Sequence, residues 1–245
     1  MRGLKFILPV MLLGCGASVP RELNVSAAMS LKEAFTELEA AFEAKHPGLD
    51  VVFNFAGSQI LAAQIVEGAQ VDVFASADDI QMERAASSGR VGAVSAFATS
   101  RLVLITPAGD RGKISSVSDL TRPGVRLVLA GPTVPAGAYA REALAQLGVG
   151  EQALANVVSN EENVRGVVGK VAAGEADAGI VYVTDVTPAL APKLKRIELG
   201  VAIWPRYQVA ALKDSIRPRE AQRFVEMVLG AEGQATLARH GFLPP

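Results

Sequence analysis

The side chains of this chain best placed to do chemistry are hydroxyls, and they stand beside uncovered backbone amides at turns. Ala27-Ala28-Met29-Ser30, Phe55-Ala56-Gly57-Ser58, the run Gly131 to Gly137, and the run Ser159 to Gly166 each lead out of an apolar stretch and into a helical one. Small residues at a helix start leave N–H groups open, at the end of the helix that carries partial positive charge. Ser30 and Ser58 add hydroxyl donors, and Tyr182, closing Gly179-Ile180-Val181-Tyr182, adds a phenol. Such an uncharged set of donors suits an anion. Each residue also has a purely architectural reading. Ser30-x-x-Glu33 spells a capping box, and Ser58 can be an N-cap. Pro135-Ala136-Gly137 can be a turn with proline near the first helical position. Val164 can be core, and Tyr182 a buried phenol bonded to a carbonyl. Spacing alone leaves both sets of readings open.

Other chemistries find little support. The sequence holds no Gly-x-Ser-x-Gly elbow and no glycine-rich loop ending in Lys-Ser/Thr. His46 and His240 fall at predicted helix ends, far apart, and Asp78-Asp79 reads as a helix start rather than as part of an acidic site with Asp72. No catalytic residue and no cation-binding cluster is expected. A net charge of −1, from 24 basic and 25 acidic residues, gives no footprint for nucleic acid. With half of the residues hydrophobic and a fifth charged, the chain is not of disordered composition.

The elements that must position these turns follow from hydrophobic periodicity. Strands are predicted at 23–28, 50–55 and 71–75, alternating with helices from Ser30 to about Lys45, Ser58 to about Glu67, and Asp78 to about Ser87. Phe35, Leu38 and Phe42 lie on one face of the first helix, which ends at His46-Pro47-Gly48. Further strands are predicted at 101–106, 125–130, 157–158, 178–183, 196–199 and 207–213. Helices are predicted at 137–147, 163–173, 217–229 and 232–240. Strands alternating with helices argue for parallel-rich sheets covered on both faces. The 245 residues suffice for two units of about a hundred each. Turn-rich stretches near 105–120 and 186–196 are the expected crossings between the units.

The first segment reads as an address. Arg2 and Lys5 precede the apolar run Phe6 to Leu13, a length that suits a secretory signal and is too short for a spanning helix. Leu12-Leu13-Gly14-Cys15 resembles the lipobox of bacterial lipoproteins, with Cys15, the chain's single cysteine, as the acylated residue. An ordinary signal peptide cut nearby, for example after Ala17, is the other reading. Either one places the mature protein outside the cytoplasm.

Taken in order, the turns resemble those of the molybdate-binding proteins of bacterial ABC importers (the ModA family), which are type II periplasmic binding proteins. The matching stretches are Ala27 to Leu31, Phe55 to Ala62, Gly68 to Asp78, Val134 to Ala140, Asn163 to Gly166, Gly179 to Tyr182, and Arg239 to Phe242. The resemblance runs from about Leu23 to the C-terminus. It implies a two-lobed α/β fold with a ligand cleft between the lobes. The leader and tether would take 1–21, lobe one 22–102 plus 196–245, and lobe two 103–195. It implies that molybdate, and tungstate with it, is held by the hydroxyls of Ser30, Ser58 and Tyr182 and by the backbone N–H groups of Ala136 and Val164. Gly57 and Met29 depart from some relatives, which carry serine and a small residue at these places.

The resemblance further implies a monomeric, periplasmic or lipid-anchored binding protein. It would have no cofactor and no catalytic activity, and its partners would be the permease and ATPase subunits of an importer. A binding protein for sulfate or another tetrahedral oxyanion is the alternative. A donor-only lining would disfavour phosphate, which keeps a proton at neutral pH and needs an acceptor. An enzyme on the same fold, hydroxymethylbilane synthase, holds its cofactor on a cysteine of the folded domain, and here the lone cysteine is Cys15. A ligand-sensing regulator would need a helix-turn-helix before the lobes, where the signal-like segment stands instead.

Overall fold

The computed structural model describes residues 21–109 and 113–245. The signal-like segment and Cys15 lie outside these residues. Among the described residues, ten strands form two five-stranded sheets. The first contains β1 (Arg21–Ala28), β2 (Leu49–Ala56), β3 (Val73–Ser76), β4 (Ser95–Thr99) and β10 (Arg206–Ala211), in the order β2-β1-β3-β10-β4. The second contains β5 (Leu102–Pro107), β6 (Leu127–Ala130), β7 (Val157–Glu161), β8 (Ala178–Tyr182) and β9 (Leu194–Glu198), in the order β7-β6-β8-β5-β9.

The two sheets share one topology. In the first, β1 runs parallel to β2 and β3, and β10 is antiparallel to β3 and β4. In the second, β6 runs parallel to β7 and β8, and β5 is antiparallel to β8 and β9. The sheets are therefore parallel-rich but mixed. Helices α1 (Lys32–Lys45), α2 (Ser58–Val66), α3 (Asp79–Ala86), α7 (Pro218–Leu229) and α8 (Ala231–Arg239) join the first lobe. Helices α4 (Pro135–Gln146), α5 (Gly150–Ala155) and α6 (Val164–Ala172) join the second.

Burial explains the strands. Every residue of β3, β5, β6 and β8 is buried, as expected of strands covered on both faces. The predicted face of α1 is buried through Phe35, Leu38 and Phe42. Phe35 meets the rings of Phe53, Phe97 and Phe224 at centroid distances of about 6 Å, within the range where aromatic pairs add to simple burial. Gly48, at φ +79°, lets the chain reverse into β2 after α1.

The crossings lie elsewhere than the turn-rich stretches suggest. The chain passes from the first sheet to the second between Thr99 and Leu102 and returns between Glu198 and Arg206. The crossings touch each other, Ser100 N donating to Pro205 O at 3.0 Å. The stretch 105–120 begins inside β5, and 186–196 ends inside β9, so both belong to the second lobe. Two elements escape the periodicity reading altogether. They are β4, whose Ser-Ala-Phe-Ala-Thr carries little β-branched character, and the six-residue α5.

Candidate functional site

Six strand ends meet between the lobes and line a small cavity. Ala28, Met29 and Ser30 line it from the end of β1, Ala56, Gly57 and Ser58 from the end of β2, and Ala77 from the end of β3. From the second lobe come Val134, Pro135 and Ala136 after β6, Asn163 and Val164 after β7, and Tyr182 at the end of β8. The five residues singled out for an anion, Ser30, Ser58, Ala136, Val164 and Tyr182, thus stand around one cavity. None of its lining side chains is charged.

The local reasons differ from turn to turn. Ser30 is no helix cap. It sits within a 3-10 turn, Met29–Leu31, that precedes α1, and neither helix start has a side-chain cap. The expected capping box is therefore absent here. Ser30 Oγ is 3.1 Å from Tyr207 Oη, and Glu33 points across the cleft to Arg165. Ser58 is the first residue of α2, with Gly57 in the cap position. Its Oγ accepts the Ala77 N–H at 3.1 Å, so its own proton remains free to donate.

In the second lobe, α4 begins two residues earlier than its glycine suggests, with Pro135 in the first turn and no side-chain cap at Val134. Gly137 lets that turn close against β6, since a Cβ there would stand 2.1 Å from Gly131 O and 2.3 Å from Ala130 O. Asn163 caps α6, its Oδ1 accepting from Arg165 N at 3.0 Å and Gly166 N at 3.3 Å. Val164 is the first helical residue, where the backbone N–H has no intrahelical acceptor. Asp185 Oδ2 accepts the Tyr182 N–H at 3.0 Å and fixes the turn after β8. The Tyr182 hydroxyl is buried and has no hydrogen-bond partner among the described residues. Ser100, Thr106 and Thr184 also have buried hydroxyls without a partner among the described residues, but of the four only Tyr182 lines the cavity.

The electrostatics favour protonated groups around the cavity. Burial holds the phenols of Tyr182 and Tyr207 well above their ordinary range, so both keep their protons at neutral pH. Burial also raises two nearby carboxyls against the pull of their hydrogen bonds, Asp78 to about 6 and Asp185 to about 7. Asp78 caps α3, accepting from Gln81 N at 2.9 Å, which matches its reading as a helix start. Asp72 is used structurally, accepting Asn24 N at 2.8 Å and the Ser215 hydroxyl. His240 pairs with Glu37 at 2.8 Å. Among the described residues no group of three or more His, Cys, Asp or Glu is placed to hold a metal cation.

Polar contacts between the lobes flank the cavity. Gln59 Nε2 donates to Glu162 O at 2.9 Å, Gln81 Nε2 donates to Thr133 O at 3.2 Å, and Arg165 pairs with Glu33. Sequence reasoning found neither these contacts nor Tyr207, because their partners lie 52 to 177 residues apart. The signal that was available is the position of Gln59 and Arg165, each one residue beyond a candidate ligand.

Two like-wound lobes, a cleft at the carboxyl ends of their strands, and a donor-lined cavity are the arrangement of a two-lobed solute-binding protein. The chain belongs to the bacterial extracellular solute-binding protein family, whose model matches residues 23–243. It is 40% identical to the molybdate-binding protein ModA of Mycobacterium tuberculosis, over 96% of this chain and 93% of the relative. The periplasmic molybdate-binding protein of Azotobacter vinelandii has the same fold, with a TM-score of 0.78 at 24% identity over 91% of this chain and 99% of the other. So does the sulfate-binding protein SubI of Mycobacterium tuberculosis, with a TM-score of 0.81 at 16% identity over 91% and 87%.

Proposed function

We propose that this protein captures molybdate, and tungstate with it, outside the cytoplasm and delivers it to the permease and ATPase of an ABC importer. The observation that carries the reading is the orphaned hydroxyl of Tyr182 in an uncharged cavity lined by two serines and by helix starts of both lobes. Ser30, Ser58 and Tyr182 donate hydroxyl protons to the oxyanion, and Ala136 and Val164 donate backbone N–H groups. Hydrogen bonds to an ionised acceptor are the strong kind. Cavity size supports a compact solute. The room open to the centre of a water-sized sphere is about 20 Å³, somewhat above the roughly 10–15 Å³ that one water needs. A sphere of 20 Å³ has a radius of about 1.7 Å, which is room for oxygens one bond length from a central atom. The 40% identical relative, a molybdate-binding protein, supports molybdate over other tetrahedral oxyanions.

The ligand bridges the lobes and so stabilises the closed arrangement through its differential affinity for it. Residues 21–99 with 206–245 and residues 102–198 are the units we expect to move, replacing the sequence-based bounds of 22–102 with 196–245 and 103–195 because β5 and β9 pair within the second sheet, with the bend carried where the chain crosses between sheets. The protein acts as a monomer. Cys15 is its lipid attachment point, so the wild-type chain should partition into detergent and the Cys15→Ala variant should not. Recovery of the wild type as a soluble protein without lipid mass would remove the anchor.

The function is tested by calorimetric titration of purified, anion-free protein with molybdate, tungstate, sulfate and phosphate. Molybdate and tungstate should bind with similar affinity, sulfate more weakly and phosphate hardly at all. A ligand at a thousandfold excess over Kd stabilises the folded state by about 4 kcal/mol. That corresponds to a rise of about 10 °C in Tm for a chain of this size. Equal shifts with sulfate and molybdate would make the site a general oxyanion site.

A further inference from the structure

We propose that Tyr207 is a positioning residue for the oxyanion. It donates its phenolic proton to Ser30 and thereby commits the Ser30 proton to the ligand, an inference that rests on the site reading above. Tyr207 lies on β10, and Ser30 in the turn after β1, so the pair is built within one lobe. Their oxygens are 3.1 Å apart, and either can be the donor. Each hydroxyl has a single proton to give. If Ser30 gives its proton to Tyr207, only lone pairs of Ser30 remain for the cavity, and these repel an anion. If Tyr207 gives its proton to Ser30, the serine proton is free. An anion in the cavity therefore selects the second arrangement and forms the chain Tyr207 O–H, Ser30 O–H, oxyanion.

The surroundings of Tyr207 favour this direction. Its side chain is fully buried, edge-on to the rings of Phe97 and Phe242 at 6.1 and 5.1 Å and of Tyr182 at 5.8 Å. Burial keeps the phenol protonated, and a phenol is a stronger donor than an aliphatic alcohol. Hydrogen bonds in a chain polarise one another, strengthening the terminal donor. The arrangement also bears on selectivity. A serine that already accepts from Tyr207 is a poor acceptor for a protonated ligand, so a monoprotonated anion meets a donor where it needs an acceptor.

The test uses the three tyrosines of the chain, Tyr139, Tyr182 and Tyr207, labelled with 13C at the phenolic carbon and observed by NMR in wild type and in Ser30→Ala. Saturating molybdate should move the Tyr207 resonance toward its phenolate position in wild type and leave it unmoved in Ser30→Ala. Tyr182, which meets the ligand directly, should respond in both. If Tyr182 does not respond, the site reading itself fails. If Tyr182 responds while Tyr207 stays still, or moves equally without Ser30, the relay is overturned. A binding cycle gives an independent check. Tyr207→Phe should lower molybdate affinity by about tenfold in wild type, roughly the worth of one hydrogen bond to a charged group. It should have no further effect in Ser30→Ala, and an equal loss in both backgrounds would overturn the relay as well.

Discussion

Glu33 on α1 and Arg165 on α6 form an ion pair that joins the two lobes directly above the cavity turns. Both side chains are more than a third exposed, and ion pairs in that setting are worth about 0–1 kcal/mol. The pair is thus only a weak clasp between the lobes. Arg165→Ala and Glu33→Gln should each weaken molybdate binding by about two- to fivefold, through a faster dissociation rate seen by stopped flow. The loss should shrink at high salt. If Glu33→Gln instead binds more tightly, Arg165 acts by attracting the anion and not by fastening the lobes.

Gly57 has a steric reason to be glycine. A Cβ on it would lie 2.3 Å from Gln59 Oε1 and 2.6 Å from the backbone oxygen of Glu162 in the opposite lobe. The amide of Gln59 can turn away, but the Glu162 carbonyl yields only if the lobes part or the turn after β7 shifts. Gly57→Ser should therefore weaken molybdate binding by about tenfold or more, and removing the Gln59 amide as well should not restore it. Calorimetry of the single variant and of its Gln59→Ala double decides this. Recovery in the double variant would show that only the flexible side chain was in the way.

Ser58 holds two relationships at once, accepting from Ala77 N and keeping its proton for the cavity. Ser58→Ala should cost about 1.5–3 kcal/mol of binding, on the order of a ten- to hundredfold loss in affinity. Tyr182→Phe should cost a similar amount of binding, yet leave the ligand-free Tm unchanged or higher, because its hydroxyl has no partner to lose. A ligand-free Tyr182→Phe protein that melts several degrees lower would mean that the hydroxyl is satisfied within the fold, and would take it out of the site.

What could be read from the sequence, and what could not, divides along the range of the interactions. Buried strands such as 178–182 announce themselves as continuous apolar runs, and the apolar face of α1 does so because burial on one face imposes a local period. The turns around the cavity were legible for the same reason, since small residues at helix starts are a local signature. Ser30 misled the reading because Ser-x-x-Glu is a local pattern whose two side chains were recruited by distant partners, Tyr207 and Arg165. The crossings misled it because turn-rich composition marks any exposed loop, whereas a change of sheet is decided by pairing. Thr99 and Leu102 lie three residues apart, yet β4 pairs with β10 and β5 with β8 and β9. No single-sequence pattern carries such pairings.

The two buried carboxyls near the cavity set the pH dependence of stability. Burial raises Asp78 from 3.8 to about 6 and Asp185 from 3.8 to about 7. Between the unfolded and folded pKa values the native state holds protons that the unfolded chain has released, so stability falls as pH rises through this window. The contribution is complete below about pH 4 and lost by about pH 7. Carboxylates lowered by hydrogen bonds to cations, Glu161 by Lys170 and Asp177 by Arg126 although burial opposes both, act in the opposite sense. Their contribution is present above the unfolded pKa and lost as pH falls. The ligand-free protein should therefore be most stable near pH 5 and lose a few kcal/mol by pH 8. Asp185→Asn keeps an oxygen for the Tyr182 N–H and removes the titration. It should melt above wild type at pH 8, and its Tm should change less between pH 5.5 and 8. Thermal melts across that range, in a buffer free of oxyanions, provide the measurement. A wild-type Tm that is flat there, or a variant that keeps the full slope, would show that Asp185 is ionised in the fold at neutral pH and place the balancing charge elsewhere.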